Sequence, residues 1–248
     1  MAEQGTVNPW VVGSNPTSPA KRRNMETNME AIVYNPFGTP VYKSSIGRDF
    51  TQEEMDFLIE QANNTQQFDG VRVTDDRLIL DNPILSDIKD RIQINLDTYL
   101  KSVYDTTDDV RLRLTSSWIT KLEKGDHHPP HAHQNSIVSG VLYVSLASID
   151  GTMFFRPGVK RWSLNNREEN YYNSDTYAAV AKPGDIVLFP SDLIHFVPTV
   201  TEDVTRIAIS INSFFQGTIG RAVPYGTLIH IGDGEGCKKG CKNCKCKS

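Results

Sequence analysis

His127, His128, His131 and His133 crowd into the segment GDHHPPHAHQNS, directly ahead of the apolar run IVSGVLYVSL. Neutral imidazoles are good ligands for borderline metals, and residues i and i+2 of an extended chain point to one side, so His131 and His133 make half of a metal site. A third ligand has to arrive from elsewhere. His195, in GDIVLFPSDLIHFV after a Pro-Ser-Asp turn, is the natural supplier. His127 and His128 precede two prolines in a loop and His230 lies in a weakly patterned stretch, so these three read as solvated residues or as neighbours of the site. Taken alone, HHPPHAH also reads as a polar loop that picks up metal adventitiously. Arg206, eleven residues past His195, weighs against that: on an inward-facing strand its guanidinium can clamp a carboxylate with two hydrogen bonds beside the metal.

Such a constellation needs a scaffold, and the hydrophobic pattern supplies one. From about residue 110 the chain reads as seven strands, RLRLTSSWITKLE, SIVSGVLYVSL, GTMFFRP, TYAAVAK, DIVLFP, LIHFVPTV and VTRIAISINSFF, separated by Gly, Pro, Asp and Asn turns. That density of short strands predicts a sandwich or barrel such as a jelly roll. In TRIAISIN, Arg206, Ala208, Ser210 and Asn212 share one face, while Ile207, Ile209 and Ile211 share the other. The polar face either meets solvent or lines a wet interior pocket. Ahead of the strands, TQEEMDFLIEQANN predicts a helix with a Thr51/Glu54 capping box and Met55, Leu58, Ile59 and Ala62 along one side. A second helix follows through Leu85, Ile88, Ile92, Leu96, Tyr99, Leu100 and Val103, and both are expected to cover a sheet. Short strands are expected near 31–34 and 40–43.

Composition bounds the rest. The 248 residues suit one sizeable domain with appendages; 38% apolar content and a formal charge of −4 are those of an ordinary globule and give no basic footprint for nucleic acid. Apolar runs are too short to cross a bilayer and the N-terminus carries no apolar leader, so the expected setting is cytoplasmic. Residues 1–28 read as a disordered extension. VGSNPT also back-translates to codons that pair like a transfer-RNA T-arm, so this segment is either an RNA gene read through ahead of a start at Met25 or Met29, or an ordinary tail. The domain itself is placed at 29–230. Residues 231–248 form a Lys-rich tail holding all four cysteines, Cys237, Cys241, Cys244 and Cys246. No disulfide can therefore staple the body of the fold. The tail resembles the Cys-Lys runs of metallothioneins, but its spacing is not that of a zinc ribbon, and it reads as flexible and reduced.

The motif order HAH then SIVSGVLYVSL, GDIVLFPSDLIHFV and RIAISIN, over about residues 110–215, resembles the iron(II) and 2-oxoglutarate-dependent oxygenases, in a branch related to the prolyl 4-hydroxylase group. The resemblance implies a mainly β fold with flanking helices, the double-stranded β-helix, a cupin-like jelly-roll barrel. It makes His131 and His195 iron ligands, and gives Arg206 the far carboxylate of 2-oxoglutarate, with Tyr143, Ser139 or Asn212 as hydrogen-bond donors to the same cosubstrate. It further implies a dioxygenase that hydroxylates a primary substrate, a small molecule or a protein side chain, consuming O2 and releasing succinate and CO2, with ascorbate as an accessory reductant. Most of the family has Asp or Glu two residues after the first histidine, where this chain has His133. Three histidines, or two with an open place, remain the alternatives for the metal. Asp126 is close in sequence but wrongly spaced.

Two other readings keep the barrel and change the chemistry. GDHHPPHAH and GDIVLFPSDLIH also resemble the two cupin motifs, with Asp192 in place of a usual glycine and no glutamate after the histidine pair, which implies a three-histidine dioxygenase that ignores 2-oxoglutarate. The other is a non-catalytic jelly roll that binds sugar or peptide. Specificity is expected to lie in the loop RPGVKRWSLNNREENYYNSDTYAA, where Trp162, Tyr171 and Tyr172 either line a mouth or pin the loop down.

Overall fold

The fold is taken from a computed structural model and is described for residues 20–23, 30–33, 38–147, 150–158, 164–220 and 226–232. Strands β1 (Ala20–Arg23) and β2 (Glu30–Val33) pair only with each other, inside or beside the stretch read as unstructured; four residues of AKRR carry no alternation that could signal a strand. Then follow β3 (Tyr42–Ser45), α1 (Gln52–Asn63), β4 (Gln66–Phe68), β5 (Val71–Val73), α2 (Ser86–Tyr104) and β6 (Val110–Leu122). The remaining strands are β7 (His128–His131), β8 (Val138–Ser145), β9 (Gly151–Phe155), β10 (Thr176–Val180), β11 (Asp185–Pro190), β12 (His195–Val197), β13 (Arg206–Ile219) and β14 (Ile229–Ile231). All seven strands expected after residue 110 are present.

They form two facing sheets. The larger runs β3-β11-β8-β13-β6-β5-β4, with β14 paired to β13; the smaller runs β10-β9-β12-β7. Every pairing between these strands among the described residues is antiparallel, as expected of a jelly roll. One face of the larger sheet carries the helices: Ile207, Ile209 and Ile211 of β13 pack with Leu142, Ile186, Leu188 and Ile119 against Leu58, Ile88, Ile92, Leu96 and Tyr99. The opposite face of β13 looks at the smaller sheet, where Ala208 packs with Val141, Tyr143, Phe154, Val187 and Phe189. The polar face of TRIAISIN is therefore interior, and its alternation does not reflect a solvated sheet surface.

Helix α1 starts on the predicted capping box: the Thr51 side chain accepts from Glu54 N–H and the Glu54 carboxylate accepts from Thr51 N–H. The buried side of α1 is Glu54, Leu58 and Ala62, whereas Ile59 is exposed, against expectation. Arg48, bonded to both Glu54 and Asp87, lets a carboxylate take the buried place. The hairpin β4-β5 was not anticipated. Its signal was in the sequence: Asp69 and Gly70 both have positive φ, the requirement of the two-residue turn that Asp-Gly favours.

Candidate metal centre

His195 sits at the start of β12, between β9 and β7, in register with His131 on one side and Phe154 on the other. A ladder pair of this kind puts the two imidazoles side by side, and their ring centroids are 4.2 Å apart. His133 lies just past the end of β7, anchored by its own N–H on Ser191 O (2.9 Å). Its ring comes within 5.0 Å of His195 and 5.3 Å of His131. One nitrogen from each of the three residues lies within 4.8 Å of the others.

The Nδ1 atoms of all three rings meet oxygen acceptors. Nδ1 of His131 meets Pro129 O (2.9 Å), Nδ1 of His195 meets Leu193 O (2.9 Å), and Nδ1 of His133 meets Asn212 Oδ1 (2.6 Å). An oxygen acceptor at Nδ1 requires the proton there and leaves Nε2 with a free lone pair, the arrangement that metal-ligating histidines use. Burial holds all three rings neutral: it lowers the pKa of His195 to about 2 and of His133 to about 4, and that of His131 falls for the same reason. Three neutral nitrogen donors within 4.8 Å of one another, each ring oriented by a hydrogen bond, fit a first-row divalent ion such as iron(II).

The flanks of this cluster are apolar or stacked. Phe189 and Phe154 pack on His195, and the Trp118 ring lies 5.6 Å from that of His133. His128 departs from the reading of it as a loop residue: HPPH forms β7, and the His128 ring stacks on His131 at 4.0 Å, half-buried, with burial lowering its pKa to about 3. Prolines concealed this strand, since they are tolerated on the sheet edge where β7 lies. His127 and His230 are exposed. Asp126 closes a turn by accepting from Glu123 N–H, well occupied away from the cluster.

The larger sheet contributes Arg206, which is buried on the interior face of β13. Its guanidinium lies over the Tyr143 ring (5.3 Å), and its Nε is 3.0 Å from Asp150 Oδ2, close enough for ion pairing though not aligned as a hydrogen bond. Asp150 is held in turn by Gly151 N–H on its other oxygen (2.6 Å). Tyr143, opposite Ala208 in the ladder, pairs its hydroxyl with Thr152 Oγ1 (2.7 Å).

Ser139 and Asn212, expected as hydrogen-bond donors to the cosubstrate, meet at His133. They stand opposite each other on β8 and β13, and Asn212 is six residues from Arg206, roughly 20 Å at about 3.3 Å per residue of strand. Asn212 Oδ1 accepts from Ser139 Oγ (2.8 Å) as well as meeting His133, so the two residues form the wall behind the third imidazole. Asp150 was missed by sequence reasoning; nothing in ASIDGT separates it from a turn aspartate. In the specificity loop, Tyr171 O accepts from Arg156 Nη2 (2.6 Å), tying that part to the end of β9. Trp162 and the four tail cysteines lie outside the described residues.

Residues 116–212 match the family model described as "Putative 2OG-Fe(II) oxygenase". No curated protein matches by sequence. Among solved structures, the chain is similar to the epimerase SnoN in complex with Fe3+, alpha ketoglutarate and nogalamycin RO, with 12% identity, a TM-score of 0.51, and 72% of this chain and 81% of that one covered. HygX from Streptomyces hygroscopicus, with nickel, 2-oxoglutarate and hygromycin B bound, gives 10% identity, a TM-score of 0.47 and coverages of 71% and 82%. The viral collagen prolyl hydroxylase vCPH from Paramecium Bursaria Chlorella virus-1, in its 2OG complex, gives 14%, 0.43, 70% and 94%.

Proposed function

We propose that this chain, a member of the 2-oxoglutarate/iron(II) oxygenase superfamily by the match over residues 116–212, is a dioxygenase that hydroxylates its substrate at an iron held by His131, His133 and His195. The observation that carries the site assignment is the shared pattern of the three rings, each tethered through Nδ1 to an oxygen, with one ring nitrogen of each within 4.8 Å of the others. When bound, iron(II) with 2-oxoglutarate supplies the O2 chemistry, turning the cosubstrate to succinate and CO2. The protein binds, orients and dries the site. Arg206 is assigned the far carboxylate of 2-oxoglutarate: its Nε faces Asp150, and a guanidinium can clamp a carboxylate with two hydrogen bonds. Tyr143 supports it from below through its ring, its hydroxyl kept protonated by burial. Phe154 and Phe189 shield His195 from water.

The primary substrate is a small molecule or a protein side chain. We place the protein in the cytoplasm on its ordinary globular composition; no helix among the described residues is long and apolar enough to cross a membrane. Ascorbate is assigned only the accessory task of keeping the iron divalent.

The test is an anaerobic titration with iron(II) and 2-oxoglutarate, followed by admission of O2 and succinate assay. The expected results are the visible charge-transfer absorption of a chelated 2-oxo acid and then succinate, with both lost in Arg206→Ala at cosubstrate concentrations that saturate the parent. O2 uptake that ignores 2-oxoglutarate would transfer the site to the cupin reading. Neither absorption nor turnover would leave a binding barrel.

A further inference from the structure

We propose that Asn212, locked by Ser139, is the positioning residue that makes His133 a metal ligand. The inference rests on the three-histidine reading above and adds to it a cause. His131 and His195 take their orientation from main-chain carbonyls two residues earlier, Pro129 and Leu193, so the backbone that places each ring also fixes which nitrogen carries the proton. His133 has no such local acceptor. Its Nδ1 is served by a side chain 79 residues away, on a different sheet from β7.

A side-chain amide can serve that nitrogen in two ways. With the amide oxygen toward the ring, the proton sits on Nδ1 and the Nε2 lone pair faces the other two histidines. With the amide nitrogen toward the ring, the proton is forced onto Nε2 and the ligand is blocked. Ser139 holds the first of these arrangements. Its hydroxyl donates to the same Asn212 oxygen that meets His133 (2.8 Å), and it is itself wholly buried. The Ser191 Oγ lies 2.8 Å from both Ser139 Oγ and Ser136 Oγ; donating to Ser139, it leaves the Ser139 proton for Asn212, while the Ser136 hydroxyl donates to Ser213 O (3.1 Å). Ser191 also accepts the His133 N–H through its carbonyl, so one residue holds both the backbone of the ligand and the hydroxyl cluster behind it. These groups join β8, the β11-β12 turn and β13 into one frame around His133.

Because the acceptor is an amide, it fixes the ring without adding charge. A carboxylate at the same point would pull on the Nδ1 proton and raise the basicity of Nε2; an apolar side chain would leave the ring unfixed. Cobalt(II) titration of the full chain, read by its visible ligand-field bands and by competition with a chelator, distinguishes these cases, with thermal unfolding of the metal-free proteins in parallel. Asn212→Leu is expected to weaken cobalt(II) binding about 10- to 100-fold and to shift the bands toward those of His133→Ala. Asn212→Asp is expected to bind more tightly than the parent. Asn212→Leu that melts lower but titrates like the parent would reduce Asn212 to a packing role and overturn the proposal. Should that variant fail to fold, Asn212→Asp decides, and binding no tighter than the parent overturns it. The site reading fails separately: His195→Ala would then titrate like the parent, or the parent would show no bands.

Discussion

At the scale of single residues, the cluster is a store of desolvated imidazoles. His128, His133 and His195 have pKa values lowered by burial to about 3, 4 and 2, and His131 is lowered too. An unfolded chain would protonate each near 6.5. Between 6.5 and those lower values the unfolded state binds more protons than the folded one, so stability rises with pH in that window and is lost as pH falls through it. Each histidine contributes a slope of up to about 1.4 kcal/mol per pH unit. The metal-free protein is therefore expected to lose urea resistance steeply from about pH 6.5 toward 4, and replacing His128 with Phe, which keeps the stack on His131 without a titrating nitrogen, should flatten the profile. A pH-independent midpoint across that range would show that the rings are hydrated in solution. The pairing of His131 with His195 and the burial of Arg206 follow from features that the sequence displays: an i, i+2 pair, a later histidine behind a turn, and a polar face on a strand. Asp150, and the contact of Ser139 and Asn212 behind His133, were not legible, because they depend on which residues stand opposite each other across the ladder.

At the scale of elements, strands with strong β-branched alternation and helices with apolar spacing were readable. The failures fall where a local rule was outweighed. Ile59 is exposed because Glu54, paired with Arg48 and Thr51, occupies the buried side of α1. Strand β7 hid behind prolines, and β4-β5 behind an unheeded Asp-Gly turn. The β9-β10 hairpin carries the tightest constraint near the site. A Cβ on Gly151 would stand 2.2 Å from Ala179 O and 2.9 Å from its carbonyl carbon, both backbone atoms of the paired strand. Gly151→Ala is therefore expected to cost about 1–3 kcal/mol, measured as a lower urea midpoint, while Gly232→Ala, with nothing within 4 Å, should match the parent. Gly151 N–H also holds Asp150, which faces Arg206. The folded fraction of Gly151→Ala should accordingly bind 2-oxoglutarate more weakly; unchanged affinity would mean that Asp150 does not orient the arginine.

At the scale of the whole molecule, the two sheets differ in how they are held. The larger one is backed by two helices and an aliphatic core, whereas the smaller one meets it through an interior that includes imidazoles, a buried guanidinium and hydroxyl groups. In the proposed site, His131 and His195 are on strands of the smaller sheet, while Asn212, which fixes His133, is on the larger one. An ion bound to the three rings would thus add a link between the layers that the unfolded chain lacks. Binding only to the native state stabilises by mass action, about 2.7 kcal/mol at a free metal concentration of 100 times Kd. For a domain of about 200 residues that corresponds to a rise in Tm of roughly 5–11 °C. Differential scanning fluorimetry with nickel(II), which resists oxidation in air, should show this rise in the parent and none in His195→Ala. A further rise with 2-oxoglutarate should disappear in Arg206→Ala while the metal-dependent rise persists. Loss of both increments together in Arg206→Ala would place the arginine in the metal site's framework and leave the cosubstrate carboxylate without its assigned partner.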